Sequence, residues 1–235
     1  MTFEQLTLYS YVGSQRAGDA HLGLAEKGFG KGDVDIKEID LYRFSPTVRA
    51  KGILTQTNEV KAENLDPEYR KANPNGTVPT LTASHLSKPL IDTRQILEFL
   101  DLSQPSMNGP DLTPAGVQDK AAANALVEYV HSSDLDTNLI IFGCLDNGDF
   151  HRLKASPLFA YLATRQIALE KYHSADPKNA FYEAKLKENG ILYSLFSEAP
   201  NTDRDAFFTD TAARYKTFAT GLNMLESQIR LPYAT

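Results

Sequence analysis

Three short stretches of this sequence combine residue types that can do chemistry. The first is Gly13-Ser14, which separates an alternating run from a helical pattern and so places the Ser14 hydroxyl at a helix N-terminus. Unpaired backbone amides at such an end attract anions and lower the pKa of a nearby thiol. A hydroxyl there can donate a hydrogen bond to a bound thiolate, or it can simply cap the helix. The second stretch is Asp92-Thr93, at the head of the helical run Thr93–Leu102. Either residue can cap that helix. Alternatively, the carboxylate takes a ligand's ammonium while the Thr93 hydroxyl and the helix amides take its carboxylate, as an amino-acid head group requires. The third is Asn73-Pro74-Asn75-Gly76-Thr77-Val78-Pro79. Its prolines and glycine exclude a helix and feed a proline into the strand-like run through Leu81. An X-Pro bond adopts the cis form for only ~0.5–1 kcal/mol. A cis Val78–Pro79 bond would leave the Val78 backbone free to pair with a peptide-like ligand; the other reading is an ordinary turn.

The elements that must position these residues follow from periodicity. Leu6–Tyr11 alternates as a strand, Arg16–Gly28 carries a helical pattern ending in a lysine and a C-cap glycine, and Val34–Ile39 alternates again. Strand, helix and strand over this span form a βαβ unit with parallel strands and a right-handed crossover. Tyr42–Asn64 has no sustained period and reads as a long loop, of the length that usually carries function or moves. A short helix at Pro67–Lys71, the strand through Leu81, a second short strand near Leu90–Ile91 and the Thr93–Leu102 helix, with Ile96, Leu97, Phe99 and Leu100 inward, complete an α/β first domain over residues 1–103. Ser103–Pro110 is a linker by composition. Beyond it, residues 113–235 read as all α: Pro114–Ser133 with an inward stripe at Ala121, Ala122, Ala125, Leu126, Tyr129 and Val130, then Pro157–Tyr172, Ala180–Leu195 and Asp205–Ile229.

Bulk properties narrow the classes. The chain has 235 residues, 42% hydrophobic and 23% charged, ordinary globular values. A net charge of −6 supplies no basic patch of the kind nucleic acid demands. No run approaches the ~20 apolar residues of a membrane span, and the N-terminus does not read as a secretion signal. A soluble, intracellular protein is expected. The single cysteine, Cys144, forbids an internal disulfide and reads as a buried apolar filler. The five histidines have no metal-ligand spacing, and no GxGxxG, Walker-type loop or G-x-S-x-G is present.

Taken together, the strand-turn-helix bearing Ser14, the Asn-Pro-x-Gly-x-Val-Pro turn, the Asp92-Thr93 pair opening the next helix, the linker and the helical half resemble the cytosolic glutathione transferases. The resemblance covers residues 6–102, and Asn73–Leu81 with Leu90–Leu100 is its most specific part. In the helical half, Pro114, His131, Asn138 and Phe181–Leu186 are similar to fungal members, some related to ether-cleaving enzymes. The resemblance implies a thioredoxin-like domain followed by an all-α domain, glutathione as co-substrate with no metal, and a cytoplasmic, homodimeric detoxification enzyme without nucleic-acid or membrane partners. It implies that Val78 pairs its backbone with the cysteinyl part of glutathione, that Pro79 is cis, that Asp92 and Thr93 hold the γ-glutamate, and that Thr77 approaches the ligand. Ser14 would face the sulfur, with Tyr11 ranked second and Tyr9 a further rival. A hydrophobic electrophile or aryl ether would sit between Tyr11-Val12 and Tyr129–Ser133. Cysteine-type disulfide chemistry is disfavoured because no cysteine lies near the Ser14 loop. Lowering a thiol from a pKa near ~8.5 by about two units takes ~2.7 kcal/mol of selective thiolate stabilisation, which helix amides and one hydroxyl can provide. The sequence departs from the family in its longer Tyr42–Asn64 loop, and it stops at Pro232-Tyr233-Ala234-Thr235 where the family continues with an apolar turn and a further helix start, either as a shortened form or with a tail omitted.

Overall fold

The computed structural model describes residues 5–41, 61–103, 109–198 and 203–228. Two compact units emerge: Met1–Pro114 together with Thr164–Leu186, and Ala115–Ala163 together with Lys187–Thr235. The architecture is a thioredoxin-like domain plus an all-α region. Thr164–Leu186 thus belongs to the same compact unit as the first domain.

The first unit is built on a three-stranded sheet of order β2-β1-β3, where β1 is Leu6–Ser10, β2 Val34–Glu38 and β3 Thr80–Thr82. β1 runs parallel to β2, with Leu6 opposite Val34, and antiparallel to β3, with Tyr9 opposite Thr80. Alternate residues Leu6, Leu8 and Ser10 are buried, the period-two pattern of a half-covered strand. Helix α1, Gln15–Glu26, turns Ala17, Ala20 and Leu24 inward and stops where Gly28 takes φ +73, the left-handed cap a glycine adopts without strain. Helix α2 is Pro67–Ala72, and α3 is Thr93–Ser103 with Ile96 and Leu100 fully buried. Leu6, Leu8, Ala20, Leu24, Val34, Leu81, Ile96 and Leu100 form one apolar core. Gly23 lets α1 approach α3 closely, since a Cβ there would run into the Leu97 side chain.

The second strand expected near Leu90–Ile91 is a single bridge. Leu81 and Leu90 exchange both backbone hydrogen bonds, at 2.8 and 2.9 Å, but the chain must begin α3 at Thr93 and has no residues left for a longer pairing. Of the loop expected over Tyr42–Asn64, residues 42–60 lie outside the described residues; its end forms a short 3-10 turn at Glu63–Leu65.

Lys27 closes the far end of this unit. Its side chain is fully buried, with Nζ donating to Asp101 Oδ1 at 3.1 Å and to the Pro110 carbonyl at 3.2 Å. Asp101 also accepts from the Leu112 and Thr113 amides at 2.8 and 3.1 Å. Burial alone would raise the Asp101 carboxyl, but the Leu112 amide, the Lys27 ammonium and the Thr113 amide outweigh it and hold the group below the ordinary carboxylate value.

Helix α4 is Val117–Val130, α5 Asn147–Lys154, α6 Pro157–Ala175, α7 Ala180–Phe196 and α8 Arg204–Gln228; no strand occurs after Ser103 among the described residues. Within the first unit, Ala168, Leu169 and Tyr182 pack on Ala62 and Leu65. The Tyr182 hydroxyl donates to the Leu65 carbonyl at 2.9 Å, and the Tyr172 hydroxyl to Asp66 Oδ2 at 3.1 Å. Burial and then the Asp66 charge push the Tyr172 phenol up to about 12.

In the second unit Cys144, Phe150, Leu162, Leu195 and Phe196 form the core, with Phe150 stacked on Phe196 at 4.8 Å between centroids. The inward stripe expected on α4 is not realised: Ala121, Ala122, Ala125 and Val130 are exposed, and only Leu126 and Tyr129 are half-buried. Consecutive alanines step round a helix by about 100° each, so Ala121–Ala123 fan over its surface rather than align. Cys144 is the apolar filler the sequence suggested; burial, ahead of the charge of Asp149, pushes its thiol up to about 11. The native protein should therefore resist alkylation at neutral pH and react only on unfolding, which mass spectrometry with and without denaturant measures; rapid labelling of the folded protein would contradict this burial.

Candidate functional site

β1 leaves the sheet at Ser10 beside the entry to β3, because Tyr9 pairs with Thr80. The chain then turns tightly, the Ser14 amide donating to the Tyr11 carbonyl at 2.9 Å. Ser14 takes the extended conformation of an N-cap, and its Oγ accepts from the Ala17 amide at 3.2 Å. The hydroxyl thus caps α1, and capping uses a lone pair while its proton stays available to a second partner. Tyr11 lies half-buried over Gly13, where a Cβ would meet its ring at 2.7 Å, and Val12 is 89% exposed. Tyr9 instead sets its ring edge-on to Tyr69 at 5.5 Å.

The second pair divides its work. Asp92 caps α3, its Oδ1 accepting from the Arg94 and Gln95 amides at 3.0 and 3.3 Å, and the carboxylate is exposed. Thr93 is buried, with its hydroxyl 3.5 Å from the Arg16 carbonyl in the first turn of α1. That contact brings the N-termini of α1 and α3 together. Val78–Pro79 is cis, with Pro79 buried and Thr77 exposed. Ser14, Asp92-Thr93 and Val78–Pro79 therefore collect at one end of the sheet. Tyr129 and Ser133 belong to the second unit, where the Tyr129 hydroxyl donates to the Gly221 carbonyl at 3.0 Å and Ser133 is exposed at the start of a 3-10 turn.

Reading the sequence alone missed the residues that hold the turn. Asn73 is fully buried and donates from Nδ2 to the Thr77 carbonyl at 2.8 Å, Thr77 Oγ1 at 3.1 Å and Thr80 Oγ1 at 2.8 Å. Its Oδ1 accepts from the Asn75 amide at 3.0 Å, a local Asx turn that the Asn-Pro-Asn spacing could have revealed. The Tyr69 hydroxyl donates to the same Thr77 carbonyl and lies 3.0 Å from Thr80 Oγ1. Burial raises the Tyr69 phenol against the lowering of its hydrogen bonds, so it stays a donor at neutral pH. Asn64 Nδ2 donates to the Gly76 carbonyl at 2.8 Å, and Gly76 itself needs φ +60. Beneath the site the Ser10 hydroxyl, fully buried, meets His21 Nε2 at 2.8 Å. Among the described residues no group of three or more His, Cys, Asp and Glu could hold a metal ion, and no helix is long and apolar enough to cross a membrane.

Residues 47–102, which include the turn, the bridge and α3, match the family described as glutathione S-transferase, N-terminal domain. The turn and the Asp92-Thr93 pair thus lie in the matched part of a thioredoxin-like domain. Over residues 47–102 the chain is similar to the N-terminal domain of the glutathione transferases. No curated protein matches the chain. Similar solved structures include glutathione transferase Omega 3C from Trametes versicolor, 17% identical at a TM-score of 0.43 over 95% of this chain and 82% of that one. Glutathione transferase F2 from Populus trichocarpa is 18% identical at 0.42, over 94% and 99%. A glutathione transferase homologue from Sulfitobacter, solved with bound glutathione, is 15% identical at 0.41, over 94% and 93%. Likenesses at these TM-scores bear on neither substrate nor mechanism.

Proposed function

We propose that this protein is a serine-type glutathione transferase. The observation that carries the reading is the convergence of the Ser14 hydroxyl, the Val78 backbone and the Asp92-Thr93 cap at one end of the sheet, tied by the contact from Thr93 to Arg16. Val78 has no backbone partner among the described residues, which suits an antiparallel pair with the cysteinyl part of glutathione. The exposed Asp92 carboxylate takes the γ-glutamyl ammonium, and the amides of the first turn of α3 face its carboxylate. Thr93 acts chiefly as the tie between helices.

The thiol of glutathione loses its proton to solvent, and the thiolate lies at the N-terminus of α1 with the Ser14 proton donated to it. Its sulfur attacks a soft electrophilic carbon beside Tyr11 and Val12. A carbon–sulfur bond forms and the leaving group departs with the bonding electrons, as chloride from an aryl chloride or as an aryloxide, then protonated by water, from an aryl ether.

Ser14→Ala should lower kcat/KM for chlorodinitrobenzene conjugation by about tenfold to a hundredfold, less than the roughly hundredfold to thousandfold cost of removing a donor to a developing oxyanion, because the helix amides still face the thiolate. The pH profile should shift upward, since the thiolate loses a stabilising donor. Wild-type activity in Ser14→Ala would remove the serine from the mechanism and turn attention to Tyr11. Because capping alone accounts for the Ser14 geometry, a non-catalytic glutathione carrier is the second reading. Retention on glutathione resin without turnover of chlorodinitrobenzene or a β-aryl ether would select it.

A further inference from the structure

We infer that Tyr69, Asn73 and Thr80 are positioning residues that aim and polarise the Val78 amide for its ligand. This rests on the reading of the turn as a glutathione site. Three side chains converge on one oxygen: the Thr77 carbonyl receives the Tyr69 hydroxyl, Asn73 Nδ2 at 2.8 Å and Thr80 Oγ1 at 3.3 Å. All three side chains belong to buried residues, so the donors approach the carbonyl from the protein side, while Thr77 itself is exposed.

The Thr77 carbonyl and the Val78 amide are two ends of a single peptide group, and that group is trans; the cis bond is the next one, Val78–Pro79. A planar trans peptide points its N–H opposite its C=O. Fixing the carbonyl toward the buried cluster therefore directs the Val78 N–H out of it, and no described residue accepts that hydrogen bond. Donors on the carbonyl also withdraw electron density through the amide, which strengthens the N–H as a donor by roughly 10–30% per bond. The cluster makes the amide both oriented and acidic before any ligand arrives. Gly76, held by Asn64 and restricted at φ +60, fixes the other flank of the turn.

The test compares Tyr69→Phe and Asn73→Asp with the wild type by calorimetric titration of glutathione, by chlorodinitrobenzene kinetics and by the Val78 amide nitrogen shift in the free protein. Removing one hydrogen bond should weaken glutathione binding by about five- to tenfold. KM for glutathione should rise in step while kcat at saturating glutathione and KM for the electrophile hold, and the Val78 nitrogen shift should move upfield. A purely structural role would lower the melting temperature and leave the affinity of the folded fraction unchanged. Where Asn73→Asp does not fold, Thr80→Val takes its place. Wild-type affinity in folded Tyr69→Phe with an unmoved Val78 shift overturns the inference alone. Absence of glutathione binding by the wild type overturns the reading of the site, and the inference with it.

Discussion

Asp101→Ala is expected to cost the first unit about 3–5 kcal/mol, because it leaves the Lys27 ammonium buried without its carboxylate. The loss extends to the Leu112 and Thr113 amides, which Asp101 also serves. At about 2–4 °C per kcal/mol for a chain of this size, the melting transition should fall by several degrees at least. The double variant Lys27→Met with Asp101→Leu should recover part of that stability, since an apolar pair of similar volume avoids the desolvation of both ions. The pH dependence follows from the direction of the Asp101 shift. A carboxyl whose folded pKa is depressed contributes stability in full above the unfolded value of about 3.9 and loses it as pH falls through the lower folded value. Asp101→Asn should therefore flatten the acid limb of the stability profile below about pH 4. An unchanged limb, or an Asp101→Ala protein as stable as the wild type, would show that the pair is not buried as described.

Phe150→Ala should be comparably severe in the second unit, at about 3–5 kcal/mol for a fully buried phenylalanine. Phe150 stacks on Phe196, and the Arg204 guanidinium lies 4.3 Å from its centroid, so truncation opens a void and strips a cation–π partner. Chemical unfolding followed at more than one probe should separate the two variants. Phe150→Ala should affect the transition of the second unit and Asp101→Ala that of the first, since their cores share no residue. Coincident transitions in both variants would mean that the units unfold as one.

The legible parts of the fold are those written in local chemistry. The alternation of Leu6–Ser10, the glycine stop after Lys27, the Pro67 helix start and the Asp92 cap are nearest-neighbour signals, and each element lies within a residue or two of its expected bounds. The cis Val78–Pro79 bond was also anticipated. What escaped the sequence is long-range. The joining of Tyr69 and Asn73 on the Thr77 carbonyl depends on a helix packing against a turn, and the Lys27–Asp101 pair spans 74 positions. Neither spacing has a period. The α4 stripe failed for the opposite reason: small residues satisfied a helical template without specifying a buried face. The order of Ser14, the turn and Asp92-Thr93 was readable from their types, whereas their convergence needed the register of Tyr9 on Thr80 and the contact of Thr93 with Arg16.

The most direct test of the central claim is a crystal structure of the wild-type protein grown with glutathione. The expected result is the tripeptide lying along the β3 side of the sheet, its cysteinyl amide and carbonyl paired with Val78, its γ-glutamyl group at Asp92 and the start of α3, and its sulfur in hydrogen-bonding contact with Ser14 Oγ. Glutathione absent from this end of the sheet, or bound there with its sulfur against the Tyr11 hydroxyl and Ser14 turned away, would contradict the account.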